Sequence, residues 1–265
     1  MAIITISRGS YSRGKEVAEL LAKSLDYECV SREIFLEATG QFNIPEIRMV
    51  RAIHDAPSIL ERFTYGKEKY IAFFRATFLK HVQSDNVVYH GLAGHFFVRG
   101  IPHALKIRVT ADLEARVREE MRRENISAEE ARHVLVKDDA ERRRWGLHLY
   151  GMDTWDPMLY DMVLQIGTMS VEDVVENILH AVRRPCFKTT AEGQRALDDL
   201  ALSAQVEATL ITVFPKATVN AKDGEVYVST RGRLADEKAT TEKIENLVEG
   251  VDGVKAIHVS IIPIA

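Results

Sequence analysis

Apolar and polar positions fall into blocks of two periods along this chain. Ile3-Ile4-Thr5-Ile6 is a short β-branched run, and the stretch after it carries apolar residues at 17, 18, 20, 21, 22 and 25. That spacing predicts a strand followed by a helix packed on a sheet. Tyr27-Glu28-Cys29-Val30 is a short extended segment, after which Ile34-Phe35-Leu36-Glu37-Ala38 turns helical. Residues 44–83 read as helices, with Pro45 and Pro57 at expected starts or breaks. The aromatics there (Phe63, Tyr65, Tyr70, Phe73, Phe74, Phe78) read as core. Further strands are predicted at 86–91, 104–109 and 160–166. Helices are predicted from Thr110 or Asp112 to Glu124, from Ser127 (capping-box spacing with Glu130) to about Trp145, and from Ser170 to about Val182. Strands alternating with helices imply the α/β class, with a mostly parallel sheet covered on both faces.

The pattern changes around Arg183-Arg184-Pro185, which reads as a linker. Beyond it the order is helix (191–213), strand (217–220), a Lys222-Asp223-Gly224 turn, strand (225–229), helix (236–248) and strand (256–262). Asp-Gly between two alternating runs is a hairpin signal. The expected division is therefore residues 1–184 as one domain and 190–265 as a small α+β (αββαβ) domain.

Candidate chemistry enters with the loop after the first strand. Gly9 to Lys15 spells G-x-x-x-x-G-K between a strand and a helix, the P-loop arrangement. Glycines let backbone N–H groups turn inward around phosphate oxygens, the helix N-terminus adds positive potential, and Lys15 supplies a mobile charge. A structural strand–turn–helix is the competing reading. Glu16 stands where many such loops carry the Ser or Thr that touches magnesium, and a first-turn glutamate also suits the helix dipole. Arg8 and Arg13 flank the glycines, and Arg32 follows the second strand at the carboxyl edge where open α/β sheets bind ligands. The helix from Ser127 carries Asp138, Asp139, Arg142, Arg143 and Arg144, either a solvated face or arginines that close over phosphates. His90 and His95 read as structural or substrate-facing, and Asp161 as catalytic or merely paired.

Composition narrows the classes. The chain has 265 residues and a net charge of −4, so no global attraction to nucleic acid is expected. No apolar run approaches the ~20 residues of a membrane span. The N-terminus leads straight into a strand without a secretory pattern, and Cys29 and Cys186 have no metal spacing; both features fit a cytoplasmic protein.

The run Ile4-Thr5-Ile6-Ser7-Arg8 through Gly14-Lys15-Glu16-Val17-Ala18 resembles the cytidylate kinase-like family, whose loops read approximately I-S-R-x-x-G-S-G-G-[KR]-E-I-A. Ser31-Arg32-Glu33-Ile34 is similar to its D-R-E-I segment, Asp139-Ala140-Glu141-Arg142 to its lid D-x-x-R, and Trp155-Asp156-Pro157 with Tyr160-Asp161-Met162-Val163-Leu164 to its closing stretch. The likeness covers about residues 1–183. The C-terminal part resembles a BON domain, through Asp223-Gly224-Glu225-Val226-Tyr227-Val228 and Val248 to Ile257.

These resemblances imply a P-loop fold and an ATP-dependent phosphotransferase using ATP with Mg2+. Gly9, Ser10, Ser12, Arg13, Gly14, Lys15 and Glu16 would hold ATP. Arg8, Arg32 and Asp139 would hold a small phosphorylated acceptor such as CMP or dCMP. Lys15 and Arg142 would act on the transferred group, and the BON-like part would take a lipid or protein partner or serve regulation. Tyr11 and Arg13 occupy family glycine positions, and Leu92 the place of an arginine usual after the third strand. These departures keep a second reading open, a catalytically impaired nucleotide sensor coupled to the BON-like part.

Overall fold

A computed structural model describes residues 2–9, 12–31, 66–91 and 93–264. Residues 1–33 and 84–190 cluster as one compact unit, and residues 34–83 and 191–265 as another.

In the first unit, β1 (Ile3–Arg8), β2 (Glu28–Val30), β3 (Val87–His90), β4 (Ala104–Ala111) and β5 (Met162–Ile166) form one sheet in the order β2-β3-β1-β4-β5. Every pairing is parallel. The crossover from β1 goes to β2 on one side and that from β3 goes past β1 to β4 on the other, so the crevice at the carboxyl ends of β1 and β3 is the topological switch point. The loop from Gly9 opens there.

Alternation along β1 gives the sheet two different faces. Ile4 and Ile6, with Leu105, Ile107 and Val109 of β4, pack on Val17 and Leu21 of α1 (Gly14–Leu25) and on Val174 and Ile178 of a helix spanning Val171–Val182. Each fully buried aliphatic side chain here contributes roughly 1.5–3 kcal/mol. The other face is polar toward its carboxyl end. Register sets Thr5 between Tyr89 and Lys106, and Ser7 beside Arg108.

Two helices cross beyond β4, α4 (Leu113–Glu124) and α5 (Ala128–Tyr150); α2 (Gly66–Val82) and α3 (Gly94–Phe97) precede them in the chain. Asp112 caps α4 by accepting from the Ala115 N–H at 3.0 Å, and Ser127 and Glu130 form the expected capping box. Where the sequence pattern ends this helix near Trp145, α5 runs on to Tyr150 and stops at left-handed Gly151. Gly146 obscured that continuation. Its bare Cα faces Thr154, whose Cγ2 would lie 2.6 Å from an added Cβ.

The second unit combines α2 with α7 (Ala191–Leu210), β6 (Thr218–Lys222), β7 (Glu225–Gly232), α8 (Glu237–Val248) and β8 (Ala256–Pro263), α6 being the Val171–Val182 helix. β6 and β7 pair antiparallel, β7 and β8 parallel. Val206 and Leu210 of α7 meet Val226, Val228, Ile244 and Val248 in its core. The Asp223-Gly224 hairpin forms, with Gly224 at φ 88°. Whereas the sequence division keeps α2 with residues 1–184, α2 packs along α7. Arg75 donates to Glu207 at 2.7 Å, and Gln205 to the Ala76 carbonyl at 3.0 Å. Buried residues lie all around α2 (Tyr70, Ala72, Phe74, Ala76, Leu79, Val82), so no single apolar stripe announced which partner it would meet. Among the described residues, no helix is long and apolar enough to cross a membrane.

Candidate functional site

The loop after β1 is tied down on β4. The Gly9 N–H donates to the Val109 carbonyl at 3.3 Å. Ser12, fully buried, donates its hydroxyl within reach of both the Gly9 carbonyl (3.1 Å) and the Val109 carbonyl (3.2 Å). Ser10 and Tyr11 lie outside the described residues. Arg13 closes the loop in the left-handed region at φ 58° and ψ 14°. Gly14 then opens α1, and only glycine fits, because a Cβ would stand 2.8 Å from the Arg8 Cβ packed across it. The result is a tight turn delivering backbone N–H groups to the N-terminus of a 12-residue helix, a geometry suited to anions.

The loop's own cations are paired. Arg13 forks onto Glu16 through Nε and Nη2, both at 2.7 Å, and Lys15 lies 3.5 Å from Glu19. Both pairs are exposed, so each holds its cation by no more than about 1 kcal/mol. The hydroxyl missing at position 16 is thus replaced by a carboxylate that orients Arg13.

A third pair overlies the loop. Arg116 of α4 bonds Asp139 of α5 at 2.8 Å, with side-chain exposures of 11% and 16%. Arg116 Nη1 and Asp139 Oδ1 both lie 3.8 Å from where a Cβ on Gly9 would be. Asp139 therefore meets the loop, as the sequence pattern predicts. Arg116 was missed because it sat among many charges on an exposed-looking helix. Both residues line a cleft of about 490 Å³ with Leu113, Arg143 and Trp155. Arg143 is committed elsewhere, donating to Asp153 at 2.5 Å and lying over the Trp155 ring at 4.9 Å. Arg142 is half-buried and faces Asp138, whose carboxyl burial pushes up while Arg142 pulls it down. Arg32 lies outside the described residues.

On the polar face of the sheet, Tyr160 Oη stands 2.9 Å from the Thr154 carbonyl, 3.2 Å from Ser7 Oγ and 3.4 Å from His95 Nε2. The carbonyl can only accept, so the phenol proton goes there. Arg108 stands over the Tyr160 ring at 5.9 Å. Burial, then the charges of Arg108 and Lys106, drive the His95 pKa down to about 3, so the imidazole is neutral. Asp161 proves to be a paired carboxylate, 2.8 Å from Lys106 Nζ. Among the described residues, no group of three or more His, Cys, Asp or Glu could hold a metal ion.

The family model described as cytidylate kinase-like matches residues 3–168. A cytidylate kinase of Sulfolobus acidocaldarius is 26% identical over 182 residues, covering 68% of this chain and 94% of that protein. One of Archaeoglobus fulgidus is also 26% identical over 182 residues, covering 68% and 93%. The crystal structure of an uncharacterized protein from Eubacterium ventriosum aligns with a TM-score of 0.53 at 18% identity, covering 68% of this chain and 97% of that one, a likeness of fold alone. Residues 169–265 lie outside the family match.

Proposed function

Because the chain belongs to the cytidylate kinase-like family, we propose that it is an ATP-dependent phosphotransferase of the nucleoside-monophosphate kinase type. The observation that carries this reading is the loop itself, pinned to β4 through Gly9 and Ser12 at the N-terminus of α1. ATP, bringing Mg2+ with its phosphates, would take the N–H groups of Gly9, Ser10, Ser12, Arg13 and Gly14. Lys15 would leave Glu19 for the transferred phosphoryl group, with Glu16 holding Arg13 in place. Arg8, Arg32 and Asp139 would serve the acceptor, CMP or dCMP being the first choice. Arg142 would neutralise charge as transfer proceeds.

In the reaction an acceptor phosphate oxygen bonds the γ-phosphorus while the bond to the β,γ-bridging oxygen breaks, releasing ADP. Such transfer rests on positioning and electrostatics and needs no protein nucleophile. The αββαβ part reads as a BON-like module for a lipid or protein partner, or for regulation, in a cytoplasmic protein.

Phosphate transfer from ATP to CMP, dCMP and a wider acceptor panel tests the reading. Lys15→Ala should lower transfer by about 100-fold or more. If ATP binds but no acceptor is phosphorylated, the enzymatic reading falls. The chain is then a nucleotide sensor, a role its three carboxylate-paired cations beside the loop would suit.

A further inference from the structure

We propose that Arg108 forms an anion subsite on the polar face of the sheet, with Ser7 and Tyr160 beside it, that receives the acceptor's own phosphate; this rests on the phosphotransferase reading above. Arg108 differs from its neighbours in lacking a carboxylate. Arg13, Arg116 and Arg143 are each bonded to Glu16, Asp139 and Asp153, and Lys106 is bonded to Asp161. Arg108 makes no ion pair among the described residues: the Asp153 carboxylate feels its charge but is forked onto Arg143. Its other neighbours are neutral. They are the Tyr160 ring at 5.9 Å, the Ser7 hydroxyl across the β1–β4 register, and an uncharged His95 bonded to the same phenol. A half-buried guanidinium with no carboxylate bonded to it gains from an anion that completes it.

Its placement supplies the rest of the argument. Val109, the next residue, is the carbonyl on which Gly9 and Ser12 hang the phosphate loop. Arg108 is thus one residue from the loop's anchor. Alternation turns it to the opposite face of the sheet from Val109, which packs with α1 and α6. A phosphoryl acceptor must approach the loop from a side that α1 does not fill, and on this face Arg108, unlike Lys106, is a cation with no ion pair among the described residues. The sequence also carries Leu92 where the family pattern has an arginine. Arg108, on β4 across β1 from β3, would supply a guanidinium from elsewhere in the sheet, and its planar fork suits two phosphate oxygens.

The test uses the full chain, with CMP and cytidine titrated calorimetrically and ATP titrated as a control. Wild-type protein should prefer CMP over cytidine. Arg108→Met should weaken CMP binding by about 30-fold, the loss of one charge-assisted contact, and leave cytidine and ATP within about twofold. Arg108→Lys should recover part of the loss. If Arg108→Met leaves the CMP-to-cytidine ratio unchanged, whether by weakening neither ligand or both alike, the subsite is refuted and the side chain is structural. Charge-dependent CMP binding without any phosphate transfer would uphold the subsite while the phosphotransferase reading fails. Transfer with an unchanged KM for CMP in Arg108→Met would do the reverse. A wild-type chain that binds none of CMP, dCMP, UMP or AMP would overturn both.

Discussion

Arg116 and Arg108 stand near the same loop and are held in opposite ways. Arg116 projects from α4 onto α5, where Asp139 neutralises it directly above Gly9. Arg108 projects from β4 onto a sheet face furnished with a hydroxyl, a phenol and a neutral imidazole. The first arrangement is stable as it stands, and a ligand has to compete with Asp139 for the guanidinium. The second half-buries the guanidinium against a phenol, with no carboxylate bonded to it. Charge pairing stores a cation, whereas neutral surroundings leave it available.

The comparison predicts unequal costs. Arg116→Ala takes the bonded guanidinium away from the Asp139 carboxylate, mostly buried, beside the Gly9 loop. It should lower unfolding stability by about 3 kcal/mol and ATP affinity by roughly 30–100-fold, read by urea denaturation and calorimetry. Adding Asp139→Asn should return most of both losses, because the carboxylate's charge goes too. Arg108→Met orphans no carboxylate, so its stability should change by less than about 1 kcal/mol. Equal destabilisation by the two substitutions would erase the distinction.

How much of this was legible beforehand depended on period. β1, the loop and α1 were readable because strand alternation, two glycines and a helical stripe follow one another without interruption. The αββαβ order was readable for the same reason, with Asp223-Gly224 marking the hairpin. Arg108 was also present as a signal: Leu105, Ile107 and Val109 alternate with Lys106 and Arg108, which sends both cations to one face. What the pattern could not supply was which of the two would be neutralised, since Asp161 lies 55 positions from Lys106. The Arg116–Asp139 pair was hidden likewise, joining two helices that each looked like a solvated charged face. The partner of α2 was hidden for the opposite reason, a helix with buried residues on every side.

Neutrality around Arg108 has its own test in pH. His95 titrates near 6.5 in the unfolded chain but only near about 3 when folded, chiefly through burial. Between those values the unfolded chain holds a proton that the folded chain refuses. Stability is therefore full above pH 6.5 and falls as the pH drops through the window, by up to ~1.4 kcal/mol per pH unit from this residue. Carboxylates add slopes of their own, so the informative quantity is the difference from His95→Gln. Urea denaturation at about pH 6.5, 5.5 and 4.5 should show a shallower acid loss in the variant. Parallel curves would mean that the imidazole is charged beside Arg108, and that the pocket is more hostile to this cation than its neutral partners suggest.

The smallest effect belongs to the loop's exposed corner. Arg13 holds a left-handed backbone at φ 58°, a conformation that costs a residue with a Cβ about 1–2 kcal/mol. Its fork onto Glu16 is exposed, with side-chain exposures of 40% and 44%, and returns little of that cost. Arg13→Ala removes the fork and keeps the strain. Arg13→Gly removes both, at the expense of a more flexible unfolded chain. Glycine should therefore be more stable than alanine at this position by about 1 kcal/mol, the reverse of the order inside a helix. The arginine itself should fall between them. If alanine proves the more stable, the loop is not held left-handed at Arg13, and the turn that aims its N–H groups inward is differently built. In the glycine variant ATP affinity isolates the arginine's charge, free of backbone strain, and a loss of no more than about threefold is expected for so exposed a group.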